Sequence, residues 1–233
     1  MGDARDEWKF LARFTGVVGL FGVVALFVPI IAVASAGEPG FEASAEEALT
    51  FFRNAQVDWI RAIAPVAGLG MLAILWFVVG VTRLLGRAEG DPPWRSTIAL
   101  VSGVILAVYG ILDASWDAAS DNAGALDLPV ALYSFDVGNL GFANAWFAAG
   151  SFVGCCGWVT LRTGLMSRWL GWWAVVSGLG LVVSRFVWTL DVWLAPYAMF
   201  WLWVITVCIL LLRRPSLGSP ARDLHKSQEH GVD

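Results

Sequence analysis

Histidine is almost missing from this 233-residue chain: its only two, His225 and His230, stand close to the C-terminus. That excludes bis-His haem ligation, HExxH zinc hydrolysis and Ser–His catalysis from the apolar body of the protein. Cysteine is scarce too, at Cys155, Cys156 and Cys208, each inside an apolar stretch. No disulfide framework can staple the exposed loops. Thiolates need a polar, positive setting that these positions lack, so the three cysteines read as core filler. No Gly-rich loop fits a P-loop or a dinucleotide fingerprint, and no GxGD segment accompanies Asp136 to make an intramembrane aspartyl pair. The absence of a basic patch with interleaved aromatics excludes a nucleic-acid partner. Lysine is down to Lys9 and Lys226 against thirteen Arg; with abundant Ala, Gly and Val, that is the composition of a high-GC bacterium. No catalytic residue and no cofactor are expected.

What the chain has instead is uncharged apolar sequence, at 14–37, 62–82, 96–112, 137–161, 169–184 and 192–212. A helix needs about 20 such residues to cross roughly 30 Å of hydrocarbon. Four runs meet this outright; the third reaches it by taking in Trp94 and Arg95, the fifth by taking in Arg185 to Leu190. The expected fold is therefore all-α, a six-helix transmembrane bundle with spans at 14–36, 62–82, 95–114, 137–161, 169–190 and 192–212. Residues 1–13 form a lead, expected as an interfacial helix anchored by Trp8 and Phe10. Residues 213–233, rich in Ser, Pro and charge, are expected to be a disordered tail. Ala34-Ser35-Ala36 has the form of a signal-peptidase site. Asp3, Asp6 and Glu7 spoil a positive n-region, however, and the apolar run is too long for an h-region, so the first span is expected to be retained.

Charge orients the bundle. Alternating the spans puts twelve of the fifteen Lys and Arg residues on the side of the termini and leaves Arg53, Arg61 and Arg185 opposite. Eleven carboxylates share that opposite side, which carries −8 against +4 for the terminal side and accounts for the net −4. Cytoplasmic loops hold the Lys/Arg excess, so both termini are expected in the cytoplasm of a cell whose plasma (inner) membrane holds the chain as a multi-pass protein.

Local signals fill in the connections. Gly16, Gly19 and Gly22 make a small-residue stripe for close helix packing, and Gly150 to Gly154 is a GxxxG element. Ser44-Ala45-Glu46-Glu47 is a capping box that opens an amphipathic helix over about 45–60, lying on the outer membrane surface or over the bundle mouth. Asn122, Gly124 and Pro129 mark a turn-rich outer loop before span four. An internal similarity at an offset of 75 matches Trp94, Ser102 and Gly103 with Trp169, Ser177 and Gly178.

The candidate site is a polar cluster at outer-leaflet depth. Arg185 falls below the outer boundary of span five, where a lone charge costs about 2 to 3 kcal/mol. Asp113 and Asp136 stand at similar depth, and Asn139 and Asn144 carry polar character inward along span four. Arg185 is expected to pair with Asp136 or Asp113, with Asn139 completing the hydrogen bonds; otherwise it snorkels to the interface. Asp113, Asp117 and Asp121 recur every fourth residue, a spacing a hard cation can use but which matches no calcium loop. Most of the fourteen Trp residues are expected in an aromatic belt, with Trp172, Trp173 and Trp201 as a stack for a flat ligand in the rarer alternative.

Three segments carry a resemblance: the acidic outer helix Glu46-Glu47-Ala48-Leu49, the span start Phe135-Asp136-Val137-Gly138-Asn139, and the basic inner turn Leu161-Arg162-Thr163-Gly164-Leu165-Met166-Ser167-Arg168-Trp169-Leu170-Gly171-Trp172. Together they resemble a group of six-span bacterial membrane proteins in which a basic inner turn leads into an RWLGW-type helix start. The resemblance implies the topology and no activity. The expectation is a non-enzymatic accessory or sensor protein with an outer-leaflet polar pocket, its partners being the bilayer and a membrane protein or a second copy. The alternative is a small-solute transporter or channel using that pocket as its outer vestibule. Below Asn144 only Ser151, Thr160, Ser177 and Ser102 offer polar groups, which favours a pocket closed at its base.

Overall fold

The computed structural model describes residues 4–55, 57–112 and 115–215. Eight α-helices follow in order: α1 (Ala4–Ala34), α2 (Ala45–Ala55), α3 (Asp58–Glu89), α4 (Trp94–Leu112), α5 (Ser115–Asp121), α6 (Leu128–Thr163), α7 (Arg168–Ser184) and α8 (Leu194–Arg213). Single 3-10 turns, Arg185–Val187 and Asp191–Trp193, join α7 to α8. Six of these elements, α1, α3, α4, α6, α7 and α8, are long and apolar enough to cross a membrane. No strand occurs among the described residues. The fold is an all-α six-helix bundle of multi-pass membrane type, with a basic face at the termini and an acidic face opposite.

The segment boundaries depart from the sequence reading in several places. The outer helix ends at Ala55, short of residue 60, and α3 takes in residues 58–60 and runs past residue 82 to Glu89. Residues 1–13 are not a separate lead: α1 runs unbroken from Ala4 into the apolar run. No Gly or Pro interrupts it before Gly16, a Lys9–Asp6 ion pair of 2.9 Å spans one turn, and the Arg87 guanidinium sits 4.2 Å over the Trp8 ring. The fourth span begins at Leu128, well before residue 137. Asp127 caps it by accepting from the Val130 N–H at 3.0 Å, and Pro129 occupies the first turn, where a missing N–H costs nothing. Pro129 thus starts a helix and does not mark a loop. Of the expected tail, 216–233 lie outside the described residues.

α6 is the central element, packing on α4 and α7 and touching α2, α3 and α5; α1 packs chiefly on α3 and then on α8. Small residues set these approaches, because lipid tails give helices no hydrophobic reason to associate and close van der Waals contact must do it. A Cβ on Gly16 would fall 2.8 Å from the Cys208 carbonyl oxygen, and one on Gly22 would fall 3.1 Å from the Gly70 carbonyl oxygen. The stripe on α1 therefore serves α8 at one end and α3 at the other. Polar bonds pin the interior: Ser102 to Ser151 at 2.7 Å joins α4 to α6, Ser177 Oγ donates to the Pro196 carbonyl at 3.0 Å, and Trp203 Nε1 donates to the Leu170 carbonyl at 3.2 Å. Ser102 and Ser177 are equivalent in the 75-residue similarity, and each spends its hydroxyl on a neighbouring helix.

The two tight turns of the basic face are built differently. Gly164, left-handed at φ 67°, ends α6, and Ser167 opens α7 by accepting from the Leu170 N–H at 3.4 Å. At the other turn, Glu89 reaches forward from the end of α3 to cap α4. Its Oε1 accepts from Arg95 N and Nη1 at 3.1 and 3.0 Å, and its Oε2 accepts from Ser96 N and Oγ at 2.9 and 2.7 Å. The Arg95 guanidinium lies against both the Trp94 and Trp158 rings, 4.2 and 4.7 Å from their centroids, and the two rings meet each other edge-on at 5.2 Å.

Candidate functional site

At the acidic face the helices part around a cavity of about 930 Å³. Two prolines stand in its wall, Pro29 inside α1 and Pro65 inside α3. Neither can donate to the carbonyl one turn back, and such breaks in membrane helices occur where the backbone meets protein or a cavity.

α2 closes one side of the mouth. The expected capping box is formed: Glu47 N–H donates to Ser44 Oγ at 3.3 Å, and Ser44 N–H donates to Glu47 Oε2 at 2.8 Å. Those bonds, led by the one from the Ser44 backbone, hold the Glu47 carboxyl below its ordinary range. Phe51 and Phe52 on the buried face of α2 then pack edge-on against Trp116 of α5 and Phe135 of α6, and the last two rings stack at 5.4 Å. Of the two expected positions for this helix, it takes the one over the bundle mouth. α5 is fixed through the same cluster by Trp116 Nε1, which donates to the Phe135 carbonyl at 3.4 Å.

Five carboxylates line the cavity: Glu38 and Glu42 from the α1–α2 loop, Asp117 and Asp121 from α5, and Asp191 from the turn before α8. No Lys or Arg does so among the described residues. Glu38 is exposed at the cavity mouth, yet the protein around it partly desolvates its carboxyl and pushes it up from its ordinary value of 4.5. Deeper in, the lining turns aromatic. Phe142 meets Trp146, Trp193 and Tyr197 edge-on, and Trp146 stacks on Trp193 at 5.3 Å. Phe41 folds in from the loop against Trp188 and Trp193. Asn139 of α6 lines the cavity at 2 % exposure with its Nδ2 unpartnered, as is the Trp193 Nε1. A buried N–H left without an acceptor costs about 1 to 3 kcal/mol, so both donors await one.

The polar cluster expected from the sequence is split. Asn139 and Asn144 are five residues apart, which turns them roughly 140° from each other on a helix. Asn139 faces the cavity; Asn144 is exposed and accepts from Arg185 Nε at 2.8 Å. Arg185 therefore pairs with an amide on the outside of the α6–α7 pair, its guanidinium 6.0 Å over Trp188. It makes no ion pair with Asp136 among the described contacts, and Asn139 does not complete its hydrogen bonding. Asp136 is half-buried and does not line the cavity. Asp113 lies outside the described residues. Asp117 and Asp121 do share a face, but on α5, and no group of three or more His, Cys, Asp or Glu converges to hold a metal among the described residues. Trp172, Trp173 and Trp201 do not form a stack: Trp172 is exposed, Trp173 meets Trp169, and Trp201 meets Phe27 and Tyr197. Sequence reading counted Glu38, Glu42 and Asp191 only among the outward carboxylates and Trp193 only in the aromatic belt, and it did not gather them with Tyr197 into a site.

No protein-family model, curated protein or solved structure matches the chain.

Proposed function

We propose that the chain is a non-enzymatic accessory or sensor protein of a bacterial plasma membrane, with cytoplasmic termini and a ligand pocket open on the acidic, outward face. The observation that carries this reading is a large cavity whose mouth is acidic, whose body is aromatic and whose base offers no onward polar route. The hydroxyls expected below Asn144 are engaged in helix contacts, Ser102 with Ser151 and Ser177 with the Pro196 carbonyl. The Trp146–Trp193 stack lies across the aromatic end. A site of this form suits binding and reporting, and among the described residues the hydroxyls below it are spent on helix contacts. The basic face supports the orientation, because Lys and Arg accumulate on cytoplasmic loops.

Thiol accessibility tests both parts. In a chain whose three cysteines are replaced by alanine, Asn139→Cys and Ser102→Cys are exposed to a membrane-impermeant maleimide in intact spheroplasts and in inverted vesicles. The expected result is labelling of the cysteine at 139 from the periplasmic side alone and none at 102 from either side. Labelling at both positions from both sides would replace this reading with a transporter or channel that uses the cavity as its vestibule.

A further inference from the structure

Resting on the reading of the cavity as a closed, outward-facing pocket, we infer that its ligand is a lipophilic organic cation: a protonated amine or a quaternary centre carried on a flat or apolar body.

Charge gives the sign. Carboxylates come to the mouth from three separate elements, at Glu38 and Glu42, at Asp117 and Asp121, and at Asp191, and among the described residues no Lys or Arg lines the space with them. Low-dielectric walls around charges of one sign concentrate the potential in a cleft, so a cation is drawn in and an anion repelled. A solvated metal ion fits poorly. Calcium needs six to eight oxygen ligands at about 2.3–2.6 Å, whereas no three candidate ligands converge among the described residues. Carboxylates spread round a mouth suit a bulky, weakly hydrated cation that meets them one at a time.

The walls give the body. Phe41, Phe142, Trp193 and Tyr197 offer ring faces and edges beyond the acidic rim. Aromatic faces attract a poorly hydrated cation within about 6 Å of the ring centre, and they bury apolar surface at the same time. The volume, about 930 Å³, is at the upper end for a pocket that encloses a drug-sized molecule. The lining gives a further group. Asn139 Nδ2 and Trp193 Nε1 are buried donors without acceptors, so the ligand carries an oxygen or nitrogen acceptor as well. Acid, aromatic and amide groups thus line one space and define an amphiphilic cation.

The probes are tetraphenylphosphonium and tetraphenylborate, ions of one shape and opposite charge, titrated by calorimetry into the full chain in phosphatidylcholine nanodiscs, with empty nanodiscs as reference. Tetraphenylphosphonium is expected to bind at least about tenfold more tightly, and Glu42→Gln with Asp191→Asn to erase most of that preference while the melting temperature holds. Rhodamine 6G, a cation with an ester carbonyl, is expected to lose about tenfold in affinity on Asn139→Leu, with tetraphenylphosphonium changing less than about twofold. Equal binding of the two ions, a preference that survives the double carboxylate change, an equal response of both cations to Asn139→Leu, or binding of Ca²⁺ alone would each overturn the inference. Loss of charge preference with one-sided labelling at 139 sinks only the ligand class. Two-sided labelling sinks the closed pocket, whichever ion binds.

Discussion

Gly150 of α6 and Gly178 of α7 face each other so closely that a Cβ on either would fall 2.6 Å from the other's carbonyl oxygen. Backbone meets backbone here, and no side chain can rotate away to make room. Gly154, the other half of the GxxxG element, would place its own Cβ in open space. The two glycines that look alike in sequence therefore carry different loads. Gly150→Ala is expected to force the helices apart at a cost of about 2 kcal/mol, as overpacking does elsewhere. Gly154→Ala should change stability by less than about 0.5 kcal/mol. Melting temperatures of the two variants in one mild detergent separate them; an equal shift would mean that the α6–α7 approach is not set at Gly150.

The cap on α4 predicts a larger effect. The Glu89 side chain is 5 % exposed and satisfies four donors at once, while that of its partner Arg95 is 17 % exposed and rests against two indoles. Removing one member of a buried ion pair leaves the other charge uncompensated, which costs about 3 kcal/mol or more. Glu89→Ala should show that loss in thermal unfolding. Glu89→Gln, which keeps one acceptor and puts an amide N–H against a donor, should fall between the two. A neutral Glu89→Ala would mean that the two indoles alone hold Arg95.

How far these features were legible depends on how local their causes are. The six apolar helices, the Ser44–Glu47 box and the α1 glycine stripe each follow from residues close in sequence, and all are present. The Glu89 cap spans six and seven residues across a turn whose geometry no pattern specifies. The start of α6 was hidden because a proline reads equally as a turn residue and as a first-turn helix residue, and only the cap at Asp127 decides. The cavity was least legible. Its acids arrive from a loop, a seven-residue helix and a single turn that are far apart in the chain, and no periodicity links them. Asn139 and Asn144 looked like one polar face because both lie on one helix; their angular separation places one inside and one outside.

Glu38 ties the cavity to pH. Partial desolvation raises its pKa in the folded chain above 4.5, so the folded state holds the proton more tightly than the unfolded state. Stability from this group is therefore fully present below about pH 4.5 and is lost as pH rises through the folded value, where the partly desolvated carboxylate must ionise. Glu42 from the same loop, Asp117 and Asp121 from α5, and Asp191 beside α8 line the same cavity. Glu38→Gln should consequently raise the melting temperature at pH 7 and leave it nearly unchanged at pH 4. A bound cation offsets the penalty, so tetraphenylphosphonium should bind more tightly as pH climbs above 4.5, and Glu38→Gln should flatten that rise. A pH-independent affinity in the unmodified chain would place Glu38 outside the binding field.

Arg185 yields the opposite kind of prediction, a small one. A guanidinium locked to a carboxylate inside the bundle would make Arg185→Leu costly, because the acid would be left buried and alone. The bond that Arg185 does make, to Asn144 at 2.8 Å, is between groups on the exterior of α6 and α7, with Trp188 beside it. At such a place the long side chain reaches the polar interface on its own, and loss of the hydrogen bond is made good by headgroups or water. Arg185→Leu and Asn144→Ala are each expected to shift stability by less than about 1 kcal/mol, and the double variant by no more than the sum. Both should leave binding of tetraphenylphosphonium unchanged, since neither side chain lines the cavity. Melting curves and calorimetry on the three variants check this together. A loss of several kcal/mol from Arg185→Leu alone would return the arginine to the interior and make a carboxylate its partner.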